Sequence, residues 1–150
     1  MSQPILPAAT VLLAAVLSVS GLVKIGRPIE SIRAMRALRV PDVLVRDWVA
    51  RLHPVAEIAL AVGLLALATP WRWAAAVGAL GLLAAYTWWV VATVRRGDAV
   101  SCNCFGRRAS PVGPRTVVRN GVLLTLAGLA VLDCVDGISA PVVRLLELGL

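Results

Sequence analysis

The sequence predicts an all-α, polytopic membrane protein: a four-transmembrane-helix bundle with an amphipathic interfacial helix in its first loop. Three observations carry this. Of 150 residues, 59% are apolar and 15% charged, with a mean hydropathy of +0.86, against about half apolar and about a quarter charged in a typical soluble domain. Four apolar runs approach the roughly 20 residues needed to cross a hydrocarbon core about 30 Å thick. The 15 Lys and Arg residues fall almost entirely on one side of the topology those runs define. A soluble core of this length cannot hide so much apolar surface. An ordinary soluble globule, a disordered chain and a disulfide-stapled miniprotein are thereby excluded. Residues 1–150 read as a single four-helix transmembrane domain.

The first span, about 5–24, is free of charge until Lys24 closes it. It has no basic leading region and no A-x-A site before a polar chain, so a cleaved signal peptide is not expected. In the following loop Ile29, Ile32, Met35 and Leu38 recur every third residue beside the row Arg33, Arg36, Arg39. That segment can lie on an anionic leaflet with its arginines toward phosphate. Pro41 should stop it, and Pro41-Asp42 resembles a new helix start. The second span, about 52–69, contains one carboxylate, Glu57. Pro70-Trp71-Arg72-Trp73 reads as a tight turn with interfacial aromatics, and the third span, about 73–94, has no charge. Ser110-Pro111 looks like the N-cap and first position of the fourth helix. The fourth span, about 116–135, is closed by Asp133 and Asp136. The tail from Ser139 to Leu150 suits an interfacial helix. Gly63, Gly78, Gly81, Gly121 and Gly128 are expected to let the helices pack closely.

Four spans place both termini on one side. Thirteen basic residues flank the first and third connections, and only Arg72 and Arg144 lie opposite. Lys and Arg collect in cytoplasmic loops. Both long loops are therefore expected in the cytoplasm and both termini outside, in an inner or plasma membrane; the reverse orientation is the alternative. Topology accounts for the high net charge, and no nucleic-acid-binding signature interrupts the arginines.

The sharpest local feature is Ser101-Cys102-Asn103-Cys104-Phe105-Gly106-Arg107-Arg108. Two thiols two residues apart stand at most about 7 Å apart at Cα, within reach of a disulfide after a modest bend. Such a small ring would be strained and therefore readily exchanged. Arg107 and Arg108 would stabilise the reactive thiolate. Cysteine that only packs is usually buried, which an Arg-flanked loop pair is not. Redox exchange, metal ligation and no chemistry all remain readings of the pair. Cys134, near the opposite end of span four, reads as a small apolar residue.

Glu57 is the second signal. A carboxylate in a span costs about 2.5–3.5 kcal/mol on insertion scales and normally has a partner. Lys24 ends span one on the same side, so a Lys24–Glu57 ion pair is sterically natural. His53 lies four residues before Glu57, on the same helix face. A structural lock and a proton-accepting or orienting role are both open. Asn120 belongs to the same leaflet. Tyr86, Trp88 and Trp89 also lie toward that end: interfacial aromatics, or the wall of a flat crevice for a quinone.

The pattern resembles the MauE/DoxX-like family of redox-associated membrane proteins. The matching stretches are Ser20-Gly21-x-x-Lys24, the basic helix leading to Val40-Pro41, Pro54-x-x-Glu57, Cys102-x-Cys104-Phe105-Gly106, and Arg119-Asn120. They cover roughly residues 10 to 135. The resemblance implies support of disulfide formation or redox maturation of exported proteins, alongside thioredoxin-like partners, with Cys102 and Cys104 as the exchanging pair. The four-helix disulfide oxidases use two cysteine pairs, whereas this chain offers one. Maturation of exported proteins would place the pair outside, whereas the arginine count places it inside; the charge count is the reading adopted.

The expected function is thus thiol–disulfide exchange with a thioredoxin-like protein or a redox substrate protein, within a lipid bilayer. Lys24, Glu57 and His53 would tune protonation. The alternatives are a membrane protein that binds or transports Cu or Zn through Cys102, Cys104 and His53, and a non-catalytic membrane scaffold.

Overall fold

The computed structural model describes residues 5–66, 70–98, 101–102 and 110–136, with the single positions 141, 146 and 149. It comprises α1 (Ile5–Lys24), α2 (Pro28–Ala37), α3 (Asp47–Ala66), α4 (Trp71–Arg96), β1 (Ser101–Cys102), β2 (Ser110–Pro111) and α5 (Pro114–Asp136). α1, α3, α4 and α5 are long and apolar enough to cross a membrane. At 1.5 Å per residue the 20 residues of α1 extend about 30 Å, the thickness of a hydrocarbon core.

Each long helix packs against two others, in the cyclic order α1–α3–α4–α5. Leu13, Leu17, Leu64 and Leu83 fill the middle, interleaved with Ala61, Ala76, Ala79, Ala127 and Ala130. Without a hydrophobic drive between helices in lipid, such small residues let backbones approach and pack by dispersion. Many other apolar side chains face outward, among them Leu12, Val19, Val62, Val77, Val122 and Leu132. A soluble surface rarely shows so much contiguous apolar area; against acyl chains it is the favoured arrangement.

Gly21 makes the closest helix approach. A β-carbon there would lie 2.7 Å from the Pro54 carbonyl oxygen and 2.7 Å from Ile58. Of the glycines expected to pack helices, Gly78 does meet Leu60. Gly81, Gly121 and Gly128 face open space, so on these lipid-facing surfaces the small residue brings no helix closer.

Several boundaries differ from expectation. α2 is a 10-residue helix opened by Pro28, with no buried residue. Its apolar stripe is only partly covered: Ile32 and Met35 are half-buried, whereas Ile29 is 64% exposed. Arg33, Arg36 and Arg39 all face out. The helix ends before Pro41 is reached: Leu38 is its cap and Arg39 turns into the left-handed region at φ 56. Pro41-Asp42 does not start a helix. The Leu44 and Val45 amides donate to the Pro41 and Asp42 carbonyls, forming successive turns, and α3 begins at Asp47. Pro54 consequently lies inside α3 rather than at its entrance. Its ring removes one backbone donor, and its own carbonyl is where Gly21 seats. Trp71 to Trp73 form the first turn of α4, and only Pro70 is a turn residue. Ser110-Pro111 is not the start of the fourth helix either. It pairs antiparallel with Ser101-Cys102 in a two-residue ladder, and Pro114 takes the first helical position. The tail expected to lie at the interface falls outside the described residues except for its isolated positions.

Two contacts hold α2 over one end of the bundle. The Arg96 guanidinium, at the end of α4, donates to the Leu38 carbonyl at 3.5 Å. Asp98 bridges Arg39 at 3.4 Å and Arg96 at 3.0 Å. β1 packs against α2.

Candidate functional site

At the α2 end of the bundle, three side chains from three helices converge on Glu57. Glu57 lies near the middle of the 20-residue α3, deeper along its helix than a span starting at residue 52 would put it. Gly21 seats against Pro54 and Ile58, so Glu57 stands level with the last turn of α1, within reach of the Lys24 side chain. The Lys24 ammonium donates to Glu57 Oε1 at 2.5 Å. The Tyr86 hydroxyl donates to the same oxygen at 2.8 Å, and His53 Nε2 stands 3.3 Å from it. The His53 ring meets Tyr86 edge-on at 5.3 Å, and the Lys24 ammonium lies 5.3 Å from the centre of the Tyr86 ring, within cation–π range. Tyr86 therefore touches every member of the group.

The carboxylate is used unevenly. Glu57 is fully buried. Oε1 collects the donors, whereas among the described residues Oε2 accepts no hydrogen bond and the buried Ser20 hydroxyl, one turn before Lys24, has no hydrogen-bond partner. A buried carboxylate oxygen without a donor is costly. Chemically it is a vacant acceptor facing an otherwise neutralised cluster.

A small cleft of about 80 Å³ opens beside this group, between α2 and residues of α1, α3 and α4. Lys24, His53 and Tyr86 line it on the bundle side. Ala34, Met35 and Leu38 line it from α2.

The remaining expected site residues divide. The backbone of Cys102 lies in β1, against α2. Cys104, Arg107 and Arg108 lie outside the described residues, as does the Cys102 side chain. Asn120 is buried on α5, one residue beyond Arg119, whose charge acts on Lys24; it makes no hydrogen bond to the Glu57 cluster. Cys134 is buried in the alanine-rich core, as a small apolar residue would be. Trp88 is 73% exposed, so it faces lipid and does not wall a crevice; of the aromatics considered for that role, Tyr86 lines the cleft. Among the described residues no three His, Cys, Asp or Glu side chains group to hold a metal ion.

Sequence reasoning missed a second buried cluster at the opposite end. Arg72, read only as a topological charge, is fully buried and donates to Asp133 Oδ2 at 2.9 Å and to the Asp133 carbonyl at 3.3 Å. The Thr10 hydroxyl is 3.1 Å from the same carboxylate oxygen, so α1, α4 and α5 are tied together there. A signal existed. Arg72 and Asp133 lie at matching depths on antiparallel helices, where lone charges require each other. Tyr86 was equally legible as the chain's one tyrosine, since a phenol in a span needs a partner for its hydroxyl.

The sequence model of one family, described as Methylamine utilisation protein MauE, matches residues 2–133. No curated protein and no solved structure matches the chain.

Proposed function

The chain belongs to the MauE family, and from that premise we propose that it is a multi-pass membrane protein exchanging a Cys102–Cys104 disulfide with a thioredoxin-like or maturing protein partner. One observation carries the reading. β1, which bears Cys102, packs on α2, and α2 roofs the cleft above Lys24, His53, Glu57 and Tyr86. The strand that bears Cys102 and a buried group of titratable side chains thus share a single helix as neighbour.

The chemistry is a two-step exchange. A thiolate of Cys102 or Cys104 attacks the partner's disulfide, forming a mixed disulfide and releasing one partner thiolate. The second cysteine then attacks its neighbour's sulfur, closing the Cys102–Cys104 ring and freeing the partner as a dithiol. Two electrons pass from the pair to the partner. Arg107 and Arg108, close in sequence, favour the attacking thiolate. Lys24, Glu57 and His53 supply or take the accompanying protons.

By the positive-inside count, the pair faces the cytoplasm of an inner or plasma membrane. Replacing only the resolving cysteine by Ser should trap a mixed disulfide with a thioredoxin-like protein, visible on a non-reducing gel and released by dithiothreitol. The Cys102→Ser/Cys104→Ser double variant should trap nothing and lose maturation of the partner. Full maturation in the double variant would refute the exchange.

A further inference from the structure

We propose that the outer face of α2, with the chain leading from it into α3, docks on the phosphates of anionic phospholipids, and that this docking keeps α2 seated over the end of the bundle. Within the chain α2 is weakly held. It has 10 residues and buries none of them, and a helix shorter than about 12–15 residues is marginal in water without packing. α3 and β1 lie beside it. The polar tethers are the Arg96 contact with the Leu38 carbonyl at 3.5 Å and the Asp98–Arg39 pair at 3.4 Å. Ion pairs as exposed as the second stabilise little. The hold on α2 must come in part from outside the chain.

Its outer face carries charge that the chain does not balance. Ile29, Arg33 and Arg36, spaced by four and then three residues, share one side of the helix. All three are exposed, on the side away from Ala34 and Leu38, which line the cleft. Arg46, just before α3, is exposed as well. The carboxylates at this end are engaged elsewhere: Glu30 with Arg27, Asp47 with Arg51, Glu57 with Lys24, and Asp98 with Arg39 and Arg96. Among the described residues Arg33, Arg36 and Arg46 make no ion pair, and the exposed Asp42 is the one nearby carboxylate left over against them.

The apolar surface beside these arginines selects a leaflet over an acidic protein. Exposed apolar residues run along α1 from Val19 and Leu22 to Ile25, and Ile29 continues them into α2. On α3 the outward row Val62, Val55 and Leu52 ends at Trp48, which is 61% exposed and two residues from Arg46. Val43 and Leu44 are exposed between the two helices. Tryptophan favours headgroup depth. A segment with its apolar residues toward acyl chains and its arginines at the phosphates matches the anionic interface. Ala34, Met35 and Leu38 face the cleft that Lys24, His53 and Tyr86 line, so lipid charge would govern how firmly that cleft is covered. No thiol step enters this inference, and it stands apart from the proposed exchange.

The full-length protein is placed in nanodiscs of phosphatidylcholine, with or without phosphatidylglycerol, and hydrogen–deuterium exchange of residues 28–38 is followed by mass spectrometry. Each arginine near an anionic surface adds roughly a fivefold preference, so phosphatidylglycerol should slow exchange there by at least about tenfold. High salt should remove the effect. The Arg33→Gln/Arg36→Gln/Arg46→Gln variant should exchange at the phosphatidylcholine rate in either lipid, with helicity by circular dichroism unchanged. Equal exchange of the wild-type segment in both lipids would overturn the proposal, and that arm requires no variant to fold. Equivalent slowing by inorganic phosphate in phosphatidylcholine would also overturn it, identifying a free-anion site. Slowing by phosphatidylglycerol that the triple variant retains would remove the arginines from the docking surface and defeat the proposal as well.

Discussion

Glu57 concentrates the consequences of a single residue. Its carboxylate sits in a span, where among the described residues Lys24, Tyr86 and His53 oppose its desolvation. Removing one member of a buried pair leaves the other uncompensated, at a cost of about 3–5 kcal/mol. Lys24→Met should therefore destabilise the protein by about that amount in detergent unfolding. Lys24→Met combined with Glu57→Leu should recover much of the loss, because no lone charge remains. Tyr86→Phe removes a donor to a carboxylate and should cost about 1.5–3 kcal/mol. The ion pair was legible in advance, because a lysine at one helix end and a carboxylate in the next span had no other plausible partner. For the tyrosine only the need of a partner was legible; that the partner is Glu57 was decided by the packed bundle, which turns residue 86 toward it.

At the scale of elements, the α1–α3 contact is set by one missing side chain. Gly21→Ala would place a methyl against the Pro54 carbonyl, which is backbone and cannot swing aside. The expected cost is about 1–3 kcal/mol, together with displacement of Lys24 from Glu57. Gly121→Ala, on an open face of α5, should be neutral or stabilise by up to about 1 kcal/mol through helix propensity. Thermal unfolding of both variants checks the contrast. The spans themselves were readable from apolar runs, and the observed helices exceed the expected ones mainly at their ends. Those ends depended on details that composition does not carry. Pro41-Asp42 and Ser110-Pro111 have the residue types of a helix start. The first lies in successive turns, and the second is held in a ladder with Ser101-Cys102.

For the whole molecule, the two buried ion pairs lie at opposite ends of the bundle. Arg72–Asp133 ties α1, α4 and α5 far from the cysteine segment. Lys24 lines the cleft under α2, the helix on which β1 packs. Replacing each pair by apolar residues should therefore separate stability from activity. Arg72→Met/Asp133→Leu should leave the thiol-exchange rate within a few-fold of wild type, while Lys24→Met/Glu57→Leu should lower it. Stopped-flow reduction of a model disulfide by the reduced protein, alongside unfolding curves, reads both. Orientation is also a property of the whole chain. With thirteen basic residues around the two long loops, a membrane-impermeant maleimide should label reduced Cys102 and Cys104 only after the cells are permeabilised.

The sequence by itself determined the membrane class, the four spans and the pairing of Lys24 with Glu57. These follow from the cost of water-exposed apolar area and of a lone charge in hydrocarbon, both properties of local composition. The tertiary structure decided which way each helix turns. It brought Tyr86 to Glu57, joined Arg72 to Asp133, opened a cleft under α2 and set the strand that bears Cys102 against that helix. Such contacts link residues far apart in the chain, and helix rotation is fixed only when all four helices pack together.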